Sequence, residues 1–410
     1  MVRIGRAVVA RRVLGTLLAA GAVTALTSVP AQATPSGSWH ADLSTVDGDD
    51  VNVRADAGTL TLRNAAWHRK PDVIAGSAGY LVLGEQQLGR PVNRVSAQVS
   101  AETPKGTTVE VDVRGRTGPQ DWTEWLPATP GAAQFPATVD SVQVRVALTT
   151  GQDGVSALVR DVSLTADLGP RADAVSAATA LTYKVYGTRE GLVGGTTSNG
   201  HVITSRDHFV SFPSGKSVSP KGTGNYTARV CRTDNSRCEY APVWETGPWN
   251  ERDDYWNPGS IRQSFKDLPQ GKPEAQAAYQ DGYNGGKSGL GYKVGNPAGI
   301  DLADGVFWDG LKLSDNSYVN VTYLWTGSGP TGVVSTAGDP MNVRASASTT
   351  AAVKGFAANY AKVTIECYVE GETVTGKFGT GKIWDRIGPG HYVSDTFLQT
   401  GSDSPVAPHC

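Results

Sequence analysis

Residues Gly299 to Leu311 read GIDLADGVFWDGL, and this stretch decides how the central part of the chain folds. Asp301 stands between Ile300 and Leu302; Asp304 and Asp309 follow before Leu311. An acid between two apolar residues, ahead of a short helix-like run, marks a strand edge feeding a helix start. Such an aspartate has two uses. It can cap the helix, its carboxylate accepting a backbone N–H of the first turn, with Asp304 completing a pattern like a capping box. It can instead be a carboxylate held at the floor of a groove.

Two further stretches bear on that choice. Ala241 to Trp249, APVWETGPW, reads as a strand ending in a tight Gly-Pro turn, and Val185 to Val202 reads VYGTREGLVGGTTSNGHV. In this order along one chain the three stretches resemble the double-psi β-barrel of the rare-lipoprotein-A and expansin families. Those barrels carry an acidic residue just before a Gly-Pro turn and a second one in an apolar-Asp-Leu-Ser motif. Here Glu245 takes the first position, where aspartate is usual. Asp301 takes the second, followed by Leu302 and Ala303. The family's opening aromatic-Gly step and Thr-x-x-Gly turn match Tyr186-Gly187 and Thr197-Ser198-Asn199-Gly200. The resemblance covers about residues 181–329.

The resemblance implies a groove on the barrel. Asp301 is then the candidate acid, and Glu245 the neighbour that raises its pKa or acts as base. Tyr186 and Thr197 belong to the substrate site. His201 and His208 flank the groove entry, where they hold substrate or shuttle a proton; surface histidine is the plainer alternative. About fifty residues, 249–299, replace the short connection usual in the family. Their Trp and Tyr content argues against disorder. This insertion is expected to form a wall or lid, with Trp249, Tyr255 and Trp256 facing substrate and a helix near Pro273 to Tyr283. Asp253 and Asp254 read as solvated loop charges.

Elsewhere the pattern is that of an all-β protein. VEVDVRGR (109–116) and VQVRVALT (142–149) alternate strictly, as half-buried sandwich strands do. Trp122 and Trp125 lie between two such strands, as core residues or as a platform for stacking sugars. GDPMNVRASASTTAAVKGF (338–356) and KIWDRIGPGHYVSDTFLQTG (382–401) resemble the opening and closing strands of bacterial SH3-like domains, which commonly bind cell-wall peptides. The expected organisation is a signal peptide (1–33), a β-sandwich (34–168), a linker (169–180), the double-psi barrel (181–329), a second linker (330–337) and the SH3-like domain (338–410).

The signal reading rests on Arg3, Arg6, Arg11 and Arg12, an apolar run from Val13 to Val29, and the small-x-small site Ala31-Gln32-Ala33. No second apolar run follows, so no membrane span is expected in the mature chain. The even set Cys231, Cys238, Cys367 and Cys410 implies two disulfides in an exported protein. Four cysteines allow three connectivities, of which proximity favours Cys231–Cys238 with Cys367–Cys410.

A formal net charge of −2 argues against a nucleic-acid partner. The six histidines form no zinc spacing and no G-x-S-x-G elbow exists, so neither metal nor cofactor is expected. Carboxylate chemistry in a groove remains. The expected protein is secreted, monomeric and associated with the cell wall. It binds peptidoglycan glycan strands and cleaves them in the manner of a glycosidase or lytic transglycosylase. The alternative is a wall-binding protein of the expansin kind that breaks no bond.

Overall fold

The computed structural model describes residues 37–67, 77–151, 154–169 and 179–410. The expected signal segment, most of the first linker and His68 lie outside them. All described residues fall in one compact unit. Their strands form sheets of nine, eleven and three strands, so the fold is mostly β.

The nine-stranded sheet spans Ser38 to Asp167. Three of its strands matter below: β1 (Ser77–Val82), β2 (Thr107–Gly115) and β3 (Ala132–Thr150). The alternation seen in sequence holds: Val111 and Val113 of β2 and Val144, Val146 and Leu148 of β3 enter one core with Leu60, Leu81 and Val162. The sheet is continuous rather than two separate halves. The 17-residue strand Gln86–Glu102 pairs with both β3 and Leu158–Asp167, and register shifts bend it where it passes between them. Trp125 is 1% exposed and donates its indole N–H to the Val218 carbonyl at 3.1 Å, so it is a packed residue and not an open platform. Trp122 is half-buried with the Arg114 guanidinium 4.5 Å from its ring centre.

Six strands follow: β4 (Thr182–Arg189), β5 (Val210–Phe212), β6 (Thr227–Arg232), β7 (Cys238–Thr246), β8 (Ala298–Leu302) and β9 (Ser317–Tyr323). They close in the order β5-β8-β4-β9-β6-β7, with β7 returning to β5. The pairs β4/β8 and β5/β7 are parallel and the others antiparallel, giving a mixed six-stranded barrel. Closure leaves these strands no open edge on the barrel circuit. Val185, Val210, Phe212, Val230, Val243, Ile300 and Val321 fill the interior.

The insertion is well packed. Helix α1 (Glu274–Asp281) lies within the expected span. Tyr255 and Trp256 are fully buried. Asp253 and Asp254, read above as solvated, are also fully buried. Each has a cationic partner and a backbone donor. Arg262 Nε reaches Asp253 at 2.9 Å, and Lys216 Nζ reaches Asp254 at 2.7 Å. The Glu274 and Gln263 backbone N–H groups supply the remaining bonds at 2.6 and 2.7 Å. Charge enters a protein interior only when compensated in this way.

The eleven-stranded sheet runs out of the barrel without a break. Strand β7 pairs in parallel with Val353–Ala357, Cys238 opposite Gly355 and Tyr240 opposite Ala357. Residues 330–337, read as a linker, contain the strand Thr331–Val334, which pairs with Lys362–Thr364 and Leu398–Gln399. The reason is local sequence: Val334 is an apolar residue with a core to enter, alongside Val363 and Leu398. Both expected disulfides are present, Cys231–Cys238 and Cys367–Cys410. Among the described residues no helix is long and apolar enough to cross a membrane.

Gly355 gives a direct test of this continuity. Its φ is +139°, and a Cβ there would lie 1.7 Å from the Cys238 carbonyl oxygen. Gly355→Val should destabilise the protein by about 3 kcal/mol or more, as backbone clashes at special dihedrals do. Chemical denaturation followed by barrel tryptophan fluorescence should report the loss. An unchanged midpoint would mean that the strands do not abut.

Candidate functional site

Asp301 is a strand residue of β8, not a helix cap. The following turn, Gly305–Gly310, has Asp304 at its N-cap position with no capping hydrogen bond. Asp304 instead takes a bidentate pair from Arg189, at 2.7 and 3.0 Å. Ile300 and Leu302 are fully buried in the barrel core, so the pleat turns the intervening Asp301 outward. It remains partly exposed.

The register brings the sequence motifs together. Ser211 on β5 is the partner of Glu245 on β7 and of Asp301 on β8, and Asp301 is the partner of Thr188 on β4. Four adjacent strands therefore carry one rung, Glu245–Ser211–Asp301–Thr188. With two strand spacings between them, the Glu245 and Asp301 backbones stand about 10 Å apart. Thr188 Oγ1 donates to Asp301 Oδ1. Ser211 Oγ donates to the Gly247 carbonyl at 3.0 Å. A Cβ on Gly247 would lie 3.4 Å from Ser211 Oγ and 3.7 Å from Asp301 Oδ2. The Gly-Pro turn thus lies over the rung, in ordinary van der Waals reach of Ser211 and Asp301.

The two carboxylates differ in access. Glu245 is fully buried, its Oε1 accepting from Ser198 Oγ at 2.5 Å and the Thr246 N–H at 2.6 Å. It can hold Ser198 and bias the field on the rung, but it cannot touch a bulky substrate. Asp301 can.

The other expected site residues divide. Tyr186 on β4 is half-buried, edge-on to Tyr318 at 5.2 Å. Trp249 is half-buried and left-handed (φ +63°), an uncommon state for a bulky residue. Its indole N–H donates to Asn296 at 3.1 Å, and its ring packs beside Ala275 and Val294. Tyr186 thus lies on the outside of the barrel, while Trp249 packs within the insertion.

Thr197 is buried, its hydroxyl donating to Asn199 at 2.7 Å and accepting from the His201 N–H at 3.1 Å; it builds a turn. His201 is partly exposed, 2.7 Å from Asp207 and 4.8 Å from the Trp244 ring centre. Tyr255 and Trp256 face no groove. The Tyr255 hydroxyl donates to the Gly299 carbonyl at 2.9 Å and receives the Tyr323 hydroxyl at 2.8 Å, while the Trp256 indole donates to Glu124 at 2.5 Å. Aromatic density in the insertion thus reflects its anchoring to the barrel and the nine-stranded sheet.

His208 is set apart from the rung by a partner of its own. Its Nδ1 lies 2.8 Å from Glu239 Oε1, and its ring meets Phe356 edge-on. Burial pulls the imidazole pKa down, but the Glu239 carboxylate, with Asp309 and Asp207, raises it above the ordinary value. Burial raises the Glu239 carboxyl to about 6 despite His208.

Sequence reasoning did not single out Thr188, Ser211 or the Arg189–Asp304 pair. A polar residue between Val210 and Phe212 was the available signal for Ser211.

The fold and site define a mixed six-stranded barrel with one accessible carboxylate on an outward rung. Residues 181–322, the barrel with its insertion, match a family described as "Domain of unknown function (DUF8814)". The chain is also 39% identical over 87 residues to the "Uncharacterized protein YraI" of Bacillus subtilis (strain 168), covering 19% of this chain and 72% of that protein. To the "Uncharacterized protein YraJ" of the same organism it is 40% identical over 86 residues, covering 19% of this chain and 73% of that one. Through the stretch that they share, the chain belongs to one family with YraI and YraJ. No solved structure matches it.

Two outcomes follow. Trp256→Ala should cost about 3–5 kcal/mol, as removal of a buried aromatic does. Asp301→Asn should change stability by less than about 1 kcal/mol, as a partly exposed strand residue does. Urea denaturation of both variants checks this, and a small loss for Trp256→Ala would return that residue to the groove.

For His208, NMR titration should give a pKa above about 6.5. Glu239→Gln should lower it, because the strongest raising partner is lost while burial, opposed only by Asp309 and Asp207, remains. The linkage sign follows. His208 contributes stability fully below its unfolded pKa and loses it as pH rises through the raised folded value. The variant should lack that loss.

Proposed function

We propose that the protein is an exported, cell-wall-associated protein that engages peptidoglycan glycan strands along the outside of its barrel at Asp301. The observation that carries this reading is the rung Glu245–Ser211–Asp301–Thr188 beneath the Gly247-Pro248 turn. Two acidic motifs far apart in sequence meet there in the arrangement that the resemblance to rare-lipoprotein-A and expansin barrels implies. The two parallel strand pairs of the closed barrel suit the double-psi topology, and the C-terminal strands suit an SH3-like attachment module. Two disulfides suit an oxidising compartment.

The enclosure of Glu245 bears on the reaction. Hydrolysis by a carboxylate pair requires both groups at the scissile bond, one as acid and one as base or nucleophile. Only Asp301 of this pair has access. That favours a single-acid cleavage, in which the substrate's own hydroxyl attacks, or binding without cleavage as in expansins.

Purified sacculi separate the two. Incubation with the wild type should release soluble muropeptides, and Asp301→Asn should lower the rate by about 100-fold or more while still co-sedimenting, the scale of a lost general acid. Co-sedimentation without release by either protein assigns the expansin-like reading. Wild-type protein that stays in the supernatant overturns both.

A further inference from the structure

We propose a second ligand site, distinct from Asp301, in the cavity between the nine-stranded sheet and the barrel; its ligand class is a short neutral saccharide. The cavity measures about 340 Å³, at the low end of the ~300–1,000 Å³ typical of small-molecule sites. Asp301 does not line it.

One wall is a regular grid. Strands β1, β3 and β2 lie side by side there, with Tyr80, Ala147 and Glu110 in one row and Val82, Arg145 and Asp112 in the next. The alternate residues Leu81, Val111, Val144 and Val146 point into the core, so the grid is the sheet's other face. A sheet face opposed to another layer is normally filled by side chains. This one is left short, because Ala147, Thr108 and Thr149 are small. The facing wall comes from the barrel side, including Ser198, Asn199, Ser219 and Thr246 at the end of β7.

The two layers also touch directly through residues of the lining. Val51 meets Gly200, where a Cβ would come within 2.9 Å. Arg145 donates to the Gly215 carbonyl at 3.1 Å, and Arg252 pairs with Glu110. The gap is therefore braced.

Its chemistry selects the ligand. The cations on the walls are already paired, Arg145 with Asp112 at 2.7 Å, Lys216 with Asp254 at 2.7 Å and Arg252 with Glu110. They leave no strong claim on a charged ligand. Burial, followed by its hydrogen bond and charge interaction with Asp47, raises the Asp49 carboxyl at the rim to about 7. Hydroxyls and amides line it, and the partly exposed Tyr80 ring supplies flat apolar surface. A ring with a polar edge combined with neutral hydrogen-bonding groups matches the two faces of a sugar.

The test is calorimetric titration of the full chain with N,N′-diacetylchitobiose, with thermal melts to check each variant. Wild type and Asp301→Asn should bind with the same affinity. Ala147→Phe and Thr149→Phe, which fill the gap from the grid, should bind at least about tenfold more weakly at an unchanged melting temperature. Thr149 is half-buried, so its variant decides the matter if Ala147→Phe does not fold. No saturable binding by the wild type, or undiminished binding by Thr149→Phe, overturns the proposal. Binding lost in Asp301→Asn and kept in the Phe variants assigns the saccharide to the barrel rung alone and also overturns it. Sacculus release and this titration can fail separately, so the two readings are distinguishable.

Discussion

The three-residue strand Val210–Phe212 is the constraint on which the barrel depends. It pairs with β7 on one side and β8 on the other, and so joins the two ends of the six-stranded circuit. Val210 and Phe212 point into the barrel core and leave Ser211 outside. A strand this short has few hydrogen bonds to set its register. The two apolar side chains set it, because a slip by one residue would move both out of the barrel core and bring Ser211 into it. Once that register is fixed, Glu245 and Asp301 can only fall on either side of Ser211.

The same economy appears around the insertion. Fifty residues without long secondary structure stay ordered because their charges and aromatics are spent on internal bonds. Asp253, Asp254, Arg262 and Lys216 form buried pairs, and Tyr255 and Trp256 tie the segment to Gly299 and Glu124. Breaking one partner of such a pair leaves an uncompensated charge in the interior, so these groups stand or fall together. The C-terminal strands are joined to the barrel in a similar way. Backbone pairing between Cys238 and Gly355 and the buried Tyr240 hydroxyl on the Ile387 carbonyl make the two regions one packed structure.

Exposure, more than residue type, separates the functional candidates. Glu245 and Asp301 are both acids in short apolar contexts. One is sealed by Ser198 and the Thr246 amide, the other opens to solvent beside Thr188. The histidines divide likewise, His208 locked to Glu239 inside and His201 held by Asp207 nearer the surface.

The sequence by itself determined the β character of the chain, the two disulfides, the helix in the insertion and the stretches that meet at the site. Those signals are local: alternation with period two, cysteine proximity, turn residues at Gly247-Pro248. It did not show that Tyr255, Trp256, Asp253 and Asp254 are interior, that Thr197 is a turn residue, or that 331–334 is a strand. Each depends on a partner far along the chain, Glu124 for Trp256, Lys216 for Asp254 and Lys362–Thr364 for Thr331–Val334. Whether a tryptophan stacks on a sugar or fills a core is written in what packs against it. Only the tertiary structure decided that, and with it which of two similar carboxylates is open to solvent.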